Sequence, residues 1–206
     1  MKLYSMPSSG NSYKVRLLLA LLGRSYDIVD VEYQTTALDQ AKASGALVFG
    51  KAPVLELDDG RLLPESNAIL CWLGEGTAFV PANAFDRAQM LSWMFWEQNQ
   101  HEGTVAVRAA LLHYPHRKAQ ATPERLADLL TAGHANLQIM EDRLARHDWL
   151  AGDWISLADI CLYGYSHSAG ERGGFDMARF PAINRWLDRI AAHPGYVGLT
   201  AARLNG

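Results

Sequence analysis

At 206 residues, the chain has room for one or two domains at about 150 residues per domain. Hydrophobic residues make up 49% and charged residues 20%, the balance of a globular protein and not of a disordered, collagen-like or coiled-coil one. Nineteen Lys and Arg against 22 Asp and Glu leave a net charge of −3, so no basic excess favours nucleic acid or an anionic membrane surface as a partner.

In chain order, residues 2–6 read as a strand, and Pro7, Ser8, Ser9, Gly10 and Asn11 as a turn. A helix is predicted from about Ser12 to Leu22, with Val15, Leu18, Leu19 and Leu22 on one face and Gly23 as its stop. The six-residue run from Leu17 to Leu22 lies behind Lys14 and Arg16. It is shorter than the roughly 7–15 apolar residues of a signal peptide. No stretch reaches the roughly 20 that cross a bilayer, and a cytoplasmic location is expected. Residues 26–31 suggest a second strand, and residues 36–43 a short helix. Residues 54–57 and 61–63 alternate around Asp58-Asp59-Gly60, a hairpin whose Asp-Gly supplies positive φ. Ser66 is expected to cap a helix carrying Ile69, Leu70 and Leu73.

Beyond the link at residues 74–83 the pattern is helical throughout. One long helix is expected over residues 86–112, and Thr122-Pro123 opens another as cap and first-turn proline. Ser156 and Asp159 form a capping box flanked by the staple pair Ile155 and Ile160. The expected organisation is a mixed α/β domain over residues 1–78 and an all-α domain over 84–206. Cys71 and Cys161 stand 90 residues apart. With no C-x-x-C and scattered histidines, buried thiols in a reducing compartment are expected, and no metal site.

Three segments carry chemistry. Ser8-Ser9-Gly10-Asn11-Ser12 stands at a helix start, where N–H groups and the dipole favour negative charge. The same composition also serves simply as a cap. In Lys51-Ala52-Pro53-Val54 a proline enters a strand, the position where its missing N–H costs no ladder bond. In the third, Glu65-Ser66 places an acid and a hydroxyl at another helix start, suited to the ammonium and carboxylate of an amino-acid end or, more plainly, to capping.

Taken together, P-x-S-x-x-x-x-K-V from Pro7 to Val15, A-P-V-L at 52–55, E-S-N-A-I-L at 65–70 and the Ser156/Asp159 box resemble the cytosolic glutathione transferases of bacterial, serine-active-site type. The resemblance covers essentially the whole chain. It implies a thioredoxin-like α/β N-terminal domain that binds glutathione. An all-α helical C-terminal domain, forming the co-substrate pocket wall, and a cytoplasmic homodimer serving detoxification are implied as well. By that resemblance Ser9 is the catalytic hydroxyl, assisted by Asn11, with Ser8 and Ser12 as alternative donors; Tyr4 fits the tyrosine-type position less well. The absence of cysteine from the loop excludes the cysteine-type classes. Lys51, Ala52, cis-Pro53, Glu65 and Ser66 are implied to bind glutathione as co-substrate. The sequence departs from the family at Val48-Phe49, where Asn-Pro is common, and at Ala52, where Val is common. Gln98, His101 and Arg108, on one face at helical spacing, are candidates for the co-substrate pocket. The expected reaction is conjugation of glutathione to small hydrophobic electrophiles. A glutathione-dependent disulfide reductase or peroxidase is the alternative, and a non-catalytic interaction module the other.

Overall fold

The computed structural model describes residues 1–200. Two compact units divide them: residues 1–77 together with the segment from Ala191 onward, and residues 78–190.

The first unit is a thioredoxin-like α/β arrangement. Its strands are β1 (Lys2–Ser5), β2 (Asp27–Asp30), β3 (Val54–Glu56) and β4 (Leu62–Pro64), ordered β2-β1-β3-β4. β1 runs parallel to β2, with Leu3 opposite Ile28, and antiparallel to β3, with Leu3 opposite Leu55. β3 and β4 form the expected hairpin: Leu57 N–H donates to Arg61 O at 2.9 Å, and Gly60 sits at φ 84° as its turn requires. Its helices are α1 (Gly10–Leu21), α2 (Thr36–Ala43) and α3 (Ser66–Gly74).

Side chains alternate across the pleat, so each sheet face has its own core. Tyr4, Val29 and Val54 face α2, where Leu38 and Ala41 close a cluster with Val31 and Leu47. Leu3, Val15, Leu18, Leu19, Leu55, Ile69, Leu70 and Leu73 are fully buried, and α1 packs beside α3. The helical domain was expected to run to residue 206; residues 191–200 instead belong to the first unit. Tyr13 Oη donates to Val197 O at 2.8 Å. A Cβ on Gly195 would come within 3.2 Å of Ala20 O, a tight approach at a φ of 84° that favours glycine. Residues 201–206 lie outside the described region.

The described part of the second unit is helical, as its sequence suggests. α4 (Ala84–Trp96) is capped by Asn83, whose Oδ1 accepts from Phe85 N at 2.8 Å. The chain continues through a π-helical stretch, Glu97–Ala106, into α5 (Val107–His113), so the long helix expected over residues 86–112 changes its winding midway. α6 (Pro123–Leu144), α7 (Leu157–Ser166), α8 (Ala169–Gly173) and α9 (Pro181–Ala191) follow. Asp159 is fully buried and ties the α7 start to its surroundings. It accepts from Ser156 N at 2.8 Å, Ser156 Oγ at 3.0 Å, Leu150 N at 3.0 Å and Trp186 Nε1 at 2.9 Å. No helix among the described residues is long and apolar enough to cross a membrane.

Candidate active site

Register brings the first unit's three motifs to one end of the sheet. Because Tyr4 pairs with Val54 and Val54 with Pro64, the end of β1, the start of β3 and the end of β4 lie side by side. The Ser8–Ser12 loop, Lys51-Ala52-Pro53 and Glu65-Ser66 leave from these three points. A direct bond joins two of them: Ser66 Oγ donates to Asn11 Oδ1 at 3.2 Å.

Within the first loop, the candidate hydroxyls separate by what each is bonded to. Ser12 is fully buried and accepts from Met6 N at 2.9 Å. Ser8 donates its hydroxyl to Glu32 Oε1 and its N–H to Glu32 Oε2, each at 3.0 Å. Ser9 is the N-cap of α1, which therefore begins two residues earlier than the sequence suggests. Its Oγ accepts from Ser12 N at 3.5 Å, with extended backbone at φ −88° and ψ 130°. A capping hydroxyl uses a lone pair and keeps its proton, so Ser9 can cap and donate at once. Tyr4 donates its hydroxyl to Glu56 Oε2 at 2.9 Å, and burial pushes its pKa up.

The Ala52–Pro53 peptide is cis. Pro53 is buried, Ala52 half-buried and Lys51 exposed. At the third motif the structure corrects the expected cap. Ser66 is the first residue of α3 and spends its hydroxyl on Asn11. Glu65 takes the N-cap position without any side-chain cap bond, at φ 71° and ψ 117°. Such backbone costs a non-glycine residue about 1–3 kcal/mol, and residues held this way cluster at functional sites. Glu65 is exposed, while Ser66 is only 4% exposed, so the carboxylate projects outward from a fixed base.

Gln98, His101 and Arg108 do not form the shared face expected of them. Gln98 is exposed and its Nε2 donates to Glu97 Oε2 at 2.7 Å and Glu102 Oε2 at 2.8 Å. His101 is fully buried, with Nε2 3.0 Å from Ser166 Oγ. Arg108 is half-buried, its guanidinium 5.9 Å from the Phe175 ring centre. The cause is the π-helical winding, which puts more residues in each turn and breaks the α-helical spacing from which the shared face follows. Among the described residues no cluster of three or more His, Cys, Asp or Glu is placed to hold a metal. Sequence reasoning missed Arg16 and Glu32, both bonded to the loop that carries Ser9. Arg16 offers a signal, a charge seven residues after Ser9 in an apolar helix; Glu32, just past a strand, offers none.

Residues 3–78 match the family model for the glutathione S-transferase N-terminal domain, and residues 104–194 that for the C-terminal domain. Glutathione S-transferase 3 of Zea mays is 32% identical over 214 aligned residues, covering 98% of this chain and 94% of the maize protein. The disulfide-bond oxidoreductase YfcG of Escherichia coli K12 is 27% identical over 199 residues, covering 93% of this chain and 90% of its own. A crystal structure of glutathione S-transferase from Pseudomonas fluorescens Pf-5 superposes with a TM-score of 0.89 at 40% identity, covering 96% of this chain and 98% of the other.

Proposed function

The chain belongs to the glutathione S-transferase family, and from that premise we propose that it conjugates the glutathione thiolate to small hydrophobic electrophiles. The observation that carries this reading is Ser9. Its hydroxyl stands at the N-terminus of α1 with its oxygen occupied by Ser12 N and its proton without an acceptor among the described residues.

Glutathione supplies the thiol whose deprotonated form is the nucleophile toward an electrophilic carbon. A thiol near pKa 8.5 is mostly protonated at neutral pH, so the protein's task is to favour the anion. The Ser9 hydroxyl donates to the developing charge, and the first N–H groups of α1 add their dipole. Ser9 need not remove the proton; stabilising its loss is enough. Asn11, anchored by Ser66, is a second donor in the same loop. Recognition is carried by the surrounding motifs: Glu65 for the ammonium of the γ-glutamyl end, and the Ser66 N–H with the N-terminus of α3 for its carboxylate. The Ala52 backbone, ahead of cis-Pro53, pairs with the cysteinyl part, and Lys51 holds the glycyl carboxylate. The outward carboxylate of Glu65, on backbone held against its preference, fits a charged partner. A homodimer in the cytoplasm, with the helical domain as co-substrate wall and detoxification as the role, completes the reading.

The resemblance to YfcG favours glutathione-dependent disulfide or peroxide reduction as a second reading. Calorimetry with glutathione, followed by turnover on aryl halides, disulfides and hydroperoxides, separates the possibilities. Binding with aryl-halide turnover is expected. Turnover confined to disulfides or hydroperoxides would replace conjugation by reduction, and absent binding would leave an interaction module.

A further inference from the structure

We propose that Arg16 and Glu32 are positioning residues for the reaction: they grip the peptide between Pro7 and Ser8 from opposite ends and so set the Ser9 hydroxyl. The proposal rests on the reading of Ser9 as thiolate donor.

The Pro7 carbonyl accepts from Arg16 Nη2 at 3.1 Å, and the Ser8 N–H of the same peptide donates to Glu32 Oε2 at 3.0 Å. The negative end of one peptide dipole thus meets a guanidinium, and its positive end meets a carboxylate. Hydrogen bonds to ionised groups are roughly twice as strong as neutral ones, so this peptide plane resists rotation. Such a rotation is the motion by which the next residue, Ser9, would swing its side chain. The grip extends to either side. Arg16 Nη1 reaches Ser5 Oγ at 2.5 Å and Met6 O at 3.4 Å, and Met6 O also accepts from Ser9 N at 3.0 Å. Glu32 Oε1 takes the Ser8 hydroxyl at 3.0 Å and Tyr33 N at 2.9 Å.

Placement on the helix completes the argument. Arg16 follows Ser9 by seven residues, two turns of α1, so its side chain reaches back over the face from which the loop enters the helix. It is fully buried, and burying a guanidinium is costly where an apolar side chain of similar length would fill the space. Filling space does not account for it; holding Ser5 at the end of β1 and the two residues that follow, Met6 and Pro7, does.

The test uses the full-length protein and glutathione itself. Glu32→Gln, Arg16→Met, Arg16→Lys and Ser9→Ala are compared for urea unfolding, KM for glutathione, kcat, and titration of the bound thiol by thiolate absorbance. Misplacement of a reacting group by about 1 Å costs up to roughly 100-fold in rate. For Glu32→Gln and Arg16→Met we expect kcat to fall about 10- to 100-fold, with KM little changed and the thiol titrating at higher pH. Arg16→Lys, which keeps a charged donor, is expected to recover part of both. If Arg16→Met does not fold, Glu32→Gln decides the matter, because Glu32 is only half-buried. Lowered stability with unchanged kcat and thiol titration in Glu32→Gln would overturn the proposal. If Ser9→Ala shifts the titration and Glu32→Gln does not, the clamp alone fails. If Ser9→Ala shifts nothing, the reading of Ser9 fails and the clamp with it.

Discussion

At the scale of single residues, the serines of the first loop show how one composition divides into different tasks. Ser8, Ser9 and Ser12 are interchangeable by type, and their spacing alone did not rank them. The partners of their hydroxyls do: that of Ser8 donates to Glu32, that of Ser12 accepts from Met6 N, and that of Ser9 accepts from Ser12 N. Glu65 provides a second residue-scale test, because recognition and backbone conformation make opposite demands there. Glu65→Gln keeps the side-chain shape and removes the charge. Glutathione affinity is expected to fall by about 1.5–3 kcal/mol, the worth of a charge-assisted hydrogen bond, as read by calorimetry. Glu65→Gly removes the side chain where φ is 71°, a conformation glycine adopts without penalty. This variant is expected to bind glutathione at least as weakly as Glu65→Gln, yet to be no less stable than the parent in urea. A clear loss of stability would show that the carboxylate serves the fold. The positive φ itself was not legible, because it is a glycine conformation and only two non-glycine residues among those described adopt it, Gln34 and Glu65.

At the scale of elements, local signals were read correctly where the physics is local. The Asp-Gly hairpin, the Thr122-Pro123 helix start and the Ser156/Asp159 box all depend on bonds within a few residues. The π-helical stretch Glu97–Ala106 was not legible: its winding comes with buried partners far along the chain, among them Cys161 Sγ on Glu97 Oε2 at 3.2 Å and Ser166 on His101. Asp159 shows the same dependence. Its box was legible, but Trp186 and Leu150 as further donors were not. Burial holds its carboxyl above the usual range even though four donors favour the charge. Asp159→Ala would leave the Leu150 and Ser156 N–H groups and the Trp186 Nε1–H buried without acceptors, at about 1–3 kcal/mol each before relaxation. Urea unfolding is expected to show a loss of about 3–5 kcal/mol; a loss under 1 kcal/mol would mean water reaches those donors. His167 gives the α7 end a pH dependence. Burial holds its pKa below 6.5, so between the two values the unfolded chain binds more protons than the folded one. Its contribution is complete above about pH 6.5 and is lost as pH falls through that window. His167→Phe can keep the stack on Tyr163, whose ring lies 5.4 Å away at 17°. The acid-side decline in stability should then become shallower, leaving the share of His134, which burial lowers as well. Parallel declines in both proteins would remove His167 as a source.

At the scale of the whole molecule, the division into an α/β and a helical part was legible from the loss of strand patterning beyond residue 80, and the family from motifs spread along the chain. The assignment of residues 191–200 to the first unit was not, because it rests on Tyr13 and Gly195 meeting partners nearly the length of the chain away. Assembly is a matter for measurement. A homodimer is the assembly proposed for the chain. Sedimentation at micromolar concentration is expected to give twice the 22.8 kDa of one chain, and a 22.8 kDa species alone would contradict the homodimer. The central claim, that the protein activates a glutathione thiol through Ser9, is tested most directly by titrating that thiol in the bound complex, with and without the Ser9 hydroxyl. In the parent protein the thiol is expected to ionise well below its free value near 8.5. In Ser9→Ala it should move back toward that value, with turnover falling about 100-fold, the lower end for a lost oxyanion donor because Asn11 and the helix N–H groups remain. An unchanged titration and turnover, with only about 1 kcal/mol of stability lost, would make Ser9 a helix cap and nothing more.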